Sequence, residues 1–504
     1  MNSSQQHKHF SDQAIFGDGT DVNWNSPNRS QLWLYHLHYF DTLRDSNSSL
    51  EKKNWLIQNW IENNSIRSRP GWEPYPTSLR IVNWLFHFVV GNDNQSLGQS
   101  WCISLYLQTL YLEANDERHI LANHFFENIK ALLFAGVYFE GADAERWLKK
   151  AEPWLVEQLV EQTLDDGGHY ERSPHYHCLM LQNYLDLYNL ASHNSLFFKP
   201  ETILLLKKTA EAGLDYVTNI VKPDGSLPLF NDSVHNLAPS ADTLIEYATL
   251  LFNYKRPESQ SKIHIMEEPQ SGIFGFRTEK DYLAIKCADI GPRYQPGHTH
   301  CDLLSFEWTH NGQELIVDSG VYEYSPGEMR SYVRSTAAHN TVTIDDDDQS
   351  EVWGEFRVGR RAKKLTGEIQ ESIGRIVFFG SFRGFHGIAG KAIHSRRVEV
   401  ERSIEKSKKL TVTDEIFGRN KSRSIRSHLH FHPDISLVQA AFNKYKVQKG
   451  SLVIGKLIVD SDVHCMTNTS WYCPEFGLKQ KNIVLVMLKK TKLPAKLSYC
   501  FELN

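Results

Sequence analysis

Gly297-His298-Thr299-His300-Cys301-Asp302 is the densest polar cluster in the sequence. It stands just before a stretch of period-two hydropathy. A strand over these residues would put His298, His300 and Asp302 on one face, because side chains alternate. Asp318 follows in Val317-Asp318-Ser319-Gly320, and His339 lies in the run from Arg330 to Thr341, RSYVRSTAAHNT. Two imidazoles and one carboxylate from neighbouring strands suit a zinc ion. A lone histidine is more often a surface or hydrogen-bonded core residue, but groups gathered this closely point to a functional site. Arg330 and Arg334 flank the cluster. They could grip a carboxylate bidentately, or make ordinary surface ion pairs.

A second set lies upstream. Asn123-His124 opens a helical pattern, where the asparagine can cap and the histidine can point into a cleft. Taken alone, Asn123 reads as a plain N-cap. Further on stands DGGHYERSPHYH, residues 166–177. Pro174 suits a first helical position, which places His175, Tyr176 and His177 near the first turn. The plainer reading is a loop feeding a helix, with Tyr176 a half-buried aromatic.

The elements that must position these groups change character near residue 260. Before it, apolar residues recur at helical spacing, as in Leu181, Tyr184, Leu185 and Tyr188, or Phe125, Ile129, Leu132 and Leu133. TILLLKKTAEAGLDYVTNI is a third helix of this kind. Further helices are expected at 31–43, 50–63, 77–90, 100–113, 145–164 and 241–253. After YKRPESQSKIHIMEEPQSG the period becomes two. DLLSFEWTHNGQELIVDSG reads as two strands joined at Asn311-Gly312, a strong hairpin signal. NTVTID, RIVFFGSF, HSRRVEVERSI, KLTVTDEI and NIVLVML are further strands. The expectation is a helical bundle or toroid over 1–260 and an antiparallel β-sandwich over 265–504, with no long helix in 300–345. A cleft between two such domains is a default ligand site.

The 504 residues include 55 Lys+Arg and 60 Asp+Glu, a net charge of 55 − 60 = −5. That balance lacks the basic footprint of a dedicated nucleic-acid binder. Hydrophobic residues at 41% exclude a disordered chain, and aromatics at 12% suit a protein that stacks flat rings on sugars. Seven cysteines with no CxxC pair do not make a disulfide scaffold. The first nineteen residues hold no apolar core of a signal peptide, and no span approaches 18 uninterrupted apolar residues. A cytoplasmic location is the expectation from these features alone.

NHFFENIKALLFAG, GGHYERSPHYH, GHTHCDLLSFEW, ELIVDSGVYEY and RSYVRSTAAHNTVTID resemble the heparinase II/III-like polysaccharide lyases, which are related to oligoalginate lyases. WNSPNRSQLWLYHLHYFDTL and WEPYPTSLRIVNWL look like members from bacterial surface-polysaccharide gene clusters. The resemblance implies an α+β multidomain protein, an N-terminal (α/α) toroid followed by a C-terminal antiparallel β-sandwich. It implies β-elimination on a uronic-acid-containing polysaccharide, and a periplasmic or envelope location. By resemblance Asn123 and His124 neutralise the substrate carboxylate, Tyr176 is the general acid and, given nearby positive charge, a candidate base as well, and His298 is a partner base for some substrates. One structural zinc would sit on His300, Asp318 and His339, with Asp302 orienting a ligand. A further catalytic tyrosine falls among Tyr322, Tyr324 and Tyr332, which spacing does not separate. No nucleic-acid partner and no oligomeric state follow.

Two other readings stand beside this one. H-x-H-x-D also resembles the metallo-hydrolases of the β-lactamase type. Their motif continues with a histidine where this chain has Leu303, and their folds alternate strands and helices. A non-catalytic polysaccharide-binding or assembly protein is the third reading. Retention of Asn123, His124, Tyr176 and His298 together weighs against it.

Overall fold

A computed structural model of the chain describes residues 15–16, 21–90, 98–257, 261–388, 391–403 and 406–504. The N-terminal residues 1–14, residues 258–260 of the linker and Ile404 of HSRRVEVERSI lie outside them. Helices run Gln31–Tyr39, Leu50–Asn63, Pro74–Val90, Gln99–Ala114, Ala122–Tyr138, Ala142–Gln162, Pro174–His193, Pro200–Ile220 and Ala241–Phe252. From His264 onward the chain is mainly strand, with every strand pairing antiparallel. No helix among the described residues is long and apolar enough to cross a membrane. All seven cysteines are free.

By contacts the chain forms two compact units that do not follow the helix-to-strand change. One is Met1–Thr163 with Met180–Glu211; the other is Leu164–Leu179 with Ala212–Asn504. Among its described residues the first holds helices and one short pair of strands. Trp60 and Trp84 pack edge to face at 5.6 Å and 90°, the arrangement the ring quadrupole favours. Arg80 lies 3.9 Å over the Trp60 ring and spends its hydrogens on Gln108 Oε1 at 2.7 Å and the Gly71 carbonyl at 2.8 Å. A buried guanidinium needs such partners.

The second unit carries three larger antiparallel sheets among its described residues, of five, eight and four strands. The five-stranded sheet is a meander from His264 to Ile316. Its last hairpin turns at Asn311 and Gly312, both at positive φ (51° and 77°), as a two-residue primed turn requires. One apolar core joins all three sheets: Phe274, Phe306 and Trp308 from the first, Phe378, Val398 and Val412 from the second, Leu429, Leu485 and Met487 from the third.

One expectation is overturned here. Residues 297–305 form turns rather than a strand, and the strand starts only at Phe306. Backbone amides of the segment are taken up by side chains and by the end of a remote helix, and Leu304 N alone of these reaches a strand residue, the Lys286 carbonyl at 2.7 Å. His300 N donates to Asn231 Oδ1 at 3.1 Å, Cys301 N to the Arg334 carbonyl at 3.0 Å, and Leu303 N to Gln349 Oε1 at 2.9 Å. His298, His300 and Asp302 therefore do not share a strand face. A seven-residue helix, Glu328–Arg334, also lies where no helix was expected.

Two buried polar groups lock this unit. Asn340 donates to the Phe306 carbonyl (2.8 Å) and the Val317 carbonyl (2.9 Å), and accepts from His430 N (2.7 Å). Arg396 pairs with Asp414 at 2.7 and 2.9 Å, donates to the Leu304 carbonyl at 2.7 Å, and reaches the Asn340 carbonyl. Burial pushes the Asp414 carboxyl up, but Arg396 and His394 outweigh it and hold it far below the usual carboxylate range. A carboxyl with a depressed folded pKa stabilises above its unfolded value of about 3.9 and loses that contribution as pH falls toward the folded value. Asp414→Asn should therefore cost about 3–5 kcal/mol at pH 7, since it strands a buried guanidinium. The deficit against the parent chain should shrink below about pH 4. Thermal unfolding at both pH values checks this; a deficit unchanged at pH 3 would contradict it.

Candidate functional site

The second unit gathers the groups with chemical potential. Ser173 Oγ donates to the Asp232 carbonyl (2.9 Å) and lies 3.4 Å from the Tyr176 amide, capping the helix that Pro174 begins. Tyr176 thus sits in the first turn, as the Ser-Pro signal predicts. Its ring stacks on His298 with centroids 3.8 Å apart and an interplanar angle of 13°. Its hydroxyl lies 3.1 Å from that of Tyr324. His298 Nδ1–H donates to Glu171 Oε2 in a short contact, with the Glu171 side chain 1% exposed and that of His298 15%. An ionised carboxylate can only accept, so a proton of His298 sits on Nδ1, and in the neutral ring Nε2 then carries the lone pair.

Burial, then the neighbouring Tyr324 and Asp232, push the Tyr176 hydroxyl well above its ordinary value of 10. Burial and Asp232 do the same to Tyr324, against the pull of Arg330. Both tyrosines are proton donors at neutral pH.

Asp232 organises the rest. Arg330 Nη2 donates to its Oδ2 at 2.8 Å and Nη1 to its Oδ1, while His300 Nε2 donates to Oδ1 at 2.8 Å. Burial raises the Asp232 carboxyl, but Arg330 and His300 more than offset it and hold it well below the carboxylate range. The Arg330 guanidinium lies 4.9 Å over the Tyr324 ring and 5.3 Å over Phe356.

The three groups expected to bind zinc lie close together in this unit. His339 Nδ1 donates to Asp318 Oδ2 at 2.8 Å, and the His300 and His339 ring centroids are 5.4 Å apart. His300 Nδ1 and His339 Nε2 are buried with no hydrogen-bond partner. Two buried imidazole lone pairs beside a carboxylate fit zinc in donor type. Among the described residues, however, no group of three or more His, Cys, Asp or Glu is spaced as a metal cage. Asp318 here serves the His339 ring instead. Asp302 pairs with Lys286 at 3.3 Å and accepts from Asn231 N at 3.0 Å.

A second constellation lies in the first unit. Asn123 is not the N-cap of its helix. That position is Leu121, at φ 64°, followed by Ala122 at φ 54°. Left-handed backbone at two non-glycine residues is costly and tends to mark functional sites. Freed from capping, Asn123 Nδ2 donates to the Tyr75 hydroxyl at 3.4 Å. The Tyr75 ring stacks on His124 at 4.2 Å and 27°, and His124 Nδ1 meets Glu117 Oε1 at 2.9 Å.

The remaining candidates are placed differently from the simplest expectation. Arg330 and Arg334 are both 1% exposed, so neither makes a surface ion pair. Arg334 spends its hydrogens on the carbonyls of Thr299 (3.2 Å), Gly354 (3.0 Å) and Arg357 (3.2 Å). Tyr332 bonds Ser470 Oγ, away from Tyr176. Tyr324 is the tyrosine of the three that meets Tyr176. Sequence reasoning assigned no role to Asp232, Glu171, Tyr75 or Glu117. Glu171 and Tyr75 stood inside quoted motifs, so their positions were in view; Asp232 and Glu117 stood in none.

Residues 2–256 match the family model described as Heparinase II/III N-terminus, and residues 265–498 match Heparinase II/III-like, C-terminal. A curated heparin-sulfate lyase of Bacteroides stercoris is 24% identical over 408 residues, covering 67% of this chain and 58% of the relative. One of Pedobacter heparinus is 24% identical over 388 residues, covering 68% and 56%. The chain thus spans under three-fifths of the length of these curated relatives. Among solved structures, a heparinase III crystal structure superposes with TM-score 0.75 at 17% identity, covering 99% of this chain and 84% of the other. A heparan sulfate lyase from Pedobacter heparinus gives 0.62 at 19%, covering 99% and 83%. These likenesses show the fold.

The Glu171 contact generates a spectroscopic test. In protein labelled with ¹⁵N-histidine, His298 should be the Nδ1–H tautomer. Glu171→Ala should shift it toward the Nε2–H form usual for a free imidazole. An unchanged tautomer in that variant would show that Glu171 does not set it.

Proposed function

We propose that this chain, which belongs to the heparinase II/III family, is a polysaccharide lyase that cleaves a uronic-acid-containing polysaccharide by β-elimination. The observation that carries the reading is an acid and a base side by side: the protonated Tyr176 hydroxyl, and His298 with Nε2 open and Nδ1 tied to Glu171. The heparin-sulfate lyases among its relatives support it. On the fold, we take the helical half to be an (α/α) toroid and the strand-rich half a β-sandwich, divided near residue 260. The break between the family models at 256 and 265 supports that division.

In the proposed reaction His298 Nε2 takes the proton beside the uronate carboxylate. The electron pair left behind forms the new carbon–carbon double bond as the adjacent glycosidic C–O bond breaks. Tyr176 gives its proton to the departing oxygen, and Tyr324 hydrogen-bonds the phenol that does so. Positioned acid and base groups are each worth about 10²–10⁴-fold. Asn123 and His124 neutralise the carboxylate, so that the enolate-like intermediate is reachable. Arg330 and Arg334, already committed to Asp232 and to carbonyls, hold the loops rather than the sugar. Zinc on His300, Asp318 and His339 would be structural, cross-linking the loop that bears His298 to the segments bearing the other two ligands. The two unpartnered imidazole nitrogens support this.

Tyr176→Phe removes one hydroxyl and leaves the ring stack. The melting temperature should stay within a few degrees, while release of the unsaturated, ultraviolet-absorbing uronate from a panel of uronate polymers falls at least ~10²-fold. Asn123→Ala should lose activity likewise. Turnover by Tyr176→Phe at the parent rate would sink the mechanism; no turnover by the parent on any uronate polymer would favour a binding protein.

Metal analysis of protein purified without chelator should find one zinc per chain. His300→Ala should lose it, and His298→Ala should keep it while losing activity. Full zinc in His300→Ala would leave the trio a hydrogen-bonded cluster without metal.

A further inference from the structure

Beside Tyr324 the second unit carries a basic, aromatic patch that the reaction above does not use. The segment after Asp318 is zipped against the end of the strand His464–Glu475 and the turn that follows it. Cys473 N donates to the Ser319 carbonyl at 2.7 Å, Val321 N to the Cys473 carbonyl at 2.9 Å, and Gly477 N to the Tyr322 carbonyl at 2.8 Å. These bonds fix the backbone that bears Tyr322. Lys479, exposed at the start of the strand Leu478–Lys492, holds its ammonium 4.9 Å over the Tyr322 ring and 5.1 Å over Trp471. Both distances lie within cation–π range. Trp471 pairs with Lys481 across the ladder, and Lys479 and Lys481 alternate onto one face.

The same turn reaches the reaction site. The Phe476 ring meets Tyr324 edge to face at 4.9 Å and 78°, and Tyr324 meets the Tyr176 hydroxyl at 3.1 Å. Pro474 accepts from His235 N at 2.7 Å, so the turn is also pinned to the segment that carries Asp232. Glu475, the carboxylate nearest in sequence, accepts from Asn236 at 2.6 Å. No ion pair to Lys479 stands among the described residues. The result is an ammonium held in place by two rings and not neutralised, on a chain of net charge −5. Held this way, it loses little freedom when an anion docks.

We propose that Tyr322, Trp471, Lys479 and Lys481 form a subsite for an acidic sugar flanking the one whose linkage is broken. The ammonium groups take its carboxylate or sulfate, and the rings take its apolar face. The flanking position rests on the lyase reading; the binding itself does not.

The test separates the two. In the Tyr176→Phe background, where the proposed turnover is slowed at least ~10²-fold, affinity for heparan sulfate, hyaluronan and alginate is measured by calorimetry, with dextran as the neutral control. Lys479→Gln should weaken binding of whichever acidic polymer binds by about fivefold or more, the scale of one charge-assisted contact. It should also flatten the salt dependence. Lys479→Arg should restore most of the loss, and matched melting temperatures show that the fold is intact. Equal affinity in Lys479→Gln, binding to none of the acidic polymers, or equal binding to dextran overturns the subsite. Failure of the parent chain to release unsaturated uronate overturns the lyase reading instead, and leaves the binding result standing.

Discussion

The geometry around Tyr176 depends on one buried charge. Asp232 is 1% exposed, and an ionised carboxylate in such a place is tolerable only when fully paired. Arg330 and His300 supply the pairing through its side chain. Its backbone supplies more: the amide donates to the His298 carbonyl at 3.0 Å, and the carbonyl accepts from Ser173 Oγ at 2.9 Å. One residue therefore fixes the loop of His298, the cap of the helix that bears Tyr176, and the guanidinium under Tyr324. Arg330 and His300 cannot drift without exposing an uncompensated charge, and the backbone that carries this charge is the one that holds the loop and the cap.

The sheets behind it explain why a loop can be held so firmly. In residues 297–305 the backbone meets a neighbouring strand at Leu304 and Ser305, through Lys286 at 2.7 and 2.9 Å, yet the segment lies against a core that joins three sheets and against Asn340, which ties Phe306, Val317 and His430 together. Irregular backbone is costly unless every buried amide finds a partner. Here Asn231, Gln349 and the Arg334 carbonyl serve as those partners. The loop is over-determined by side chains, which frees its own side chains to point in different directions.

That is also where the sequence was hardest to read. Periodicity located the helices well, Leu50–Asn63 to the residue, because a buried apolar stripe is a local property. Asn311-Gly312 announced its hairpin, since positive φ at two positions leaves few choices of residue. The Ser-Pro pair announced the helix of Tyr176. The strand expected at 298–302 failed because its amides are claimed by residues far away in sequence, which no local pattern records. Asn123 failed as a cap for a related reason: Leu121 and Ala122 adopt left-handed backbone that propensity argues against. Asp232 was missed because its partners, at 300 and 330, converge only in three dimensions. A resemblance to known lyases named Tyr176 and His298, but it was geometry that picked Tyr324 from three tyrosines and brought Glu171 to His298.

The same buried charge also bears on which group can act as acid and which as base. A tyrosine serves as base only if a nearby positive charge stabilises its phenolate. Arg330 stands close enough to Tyr324 to do so, but its charge is already answered by Asp232 at bidentate range. Asp232 in turn raises the pKa of both Tyr176 and Tyr324, on top of their burial. The pair is thereby held as phenols, suited to giving a proton to a leaving oxygen and unsuited to taking one from carbon. Within this unit His298 is then the natural base of the proposed reaction. It is the partly exposed ring of the group, its open nitrogen is set by Glu171, and its face lies on the ring of the acid it would work beside. A single carboxylate would thus set where the acid stands and add to the burial that keeps it a phenol.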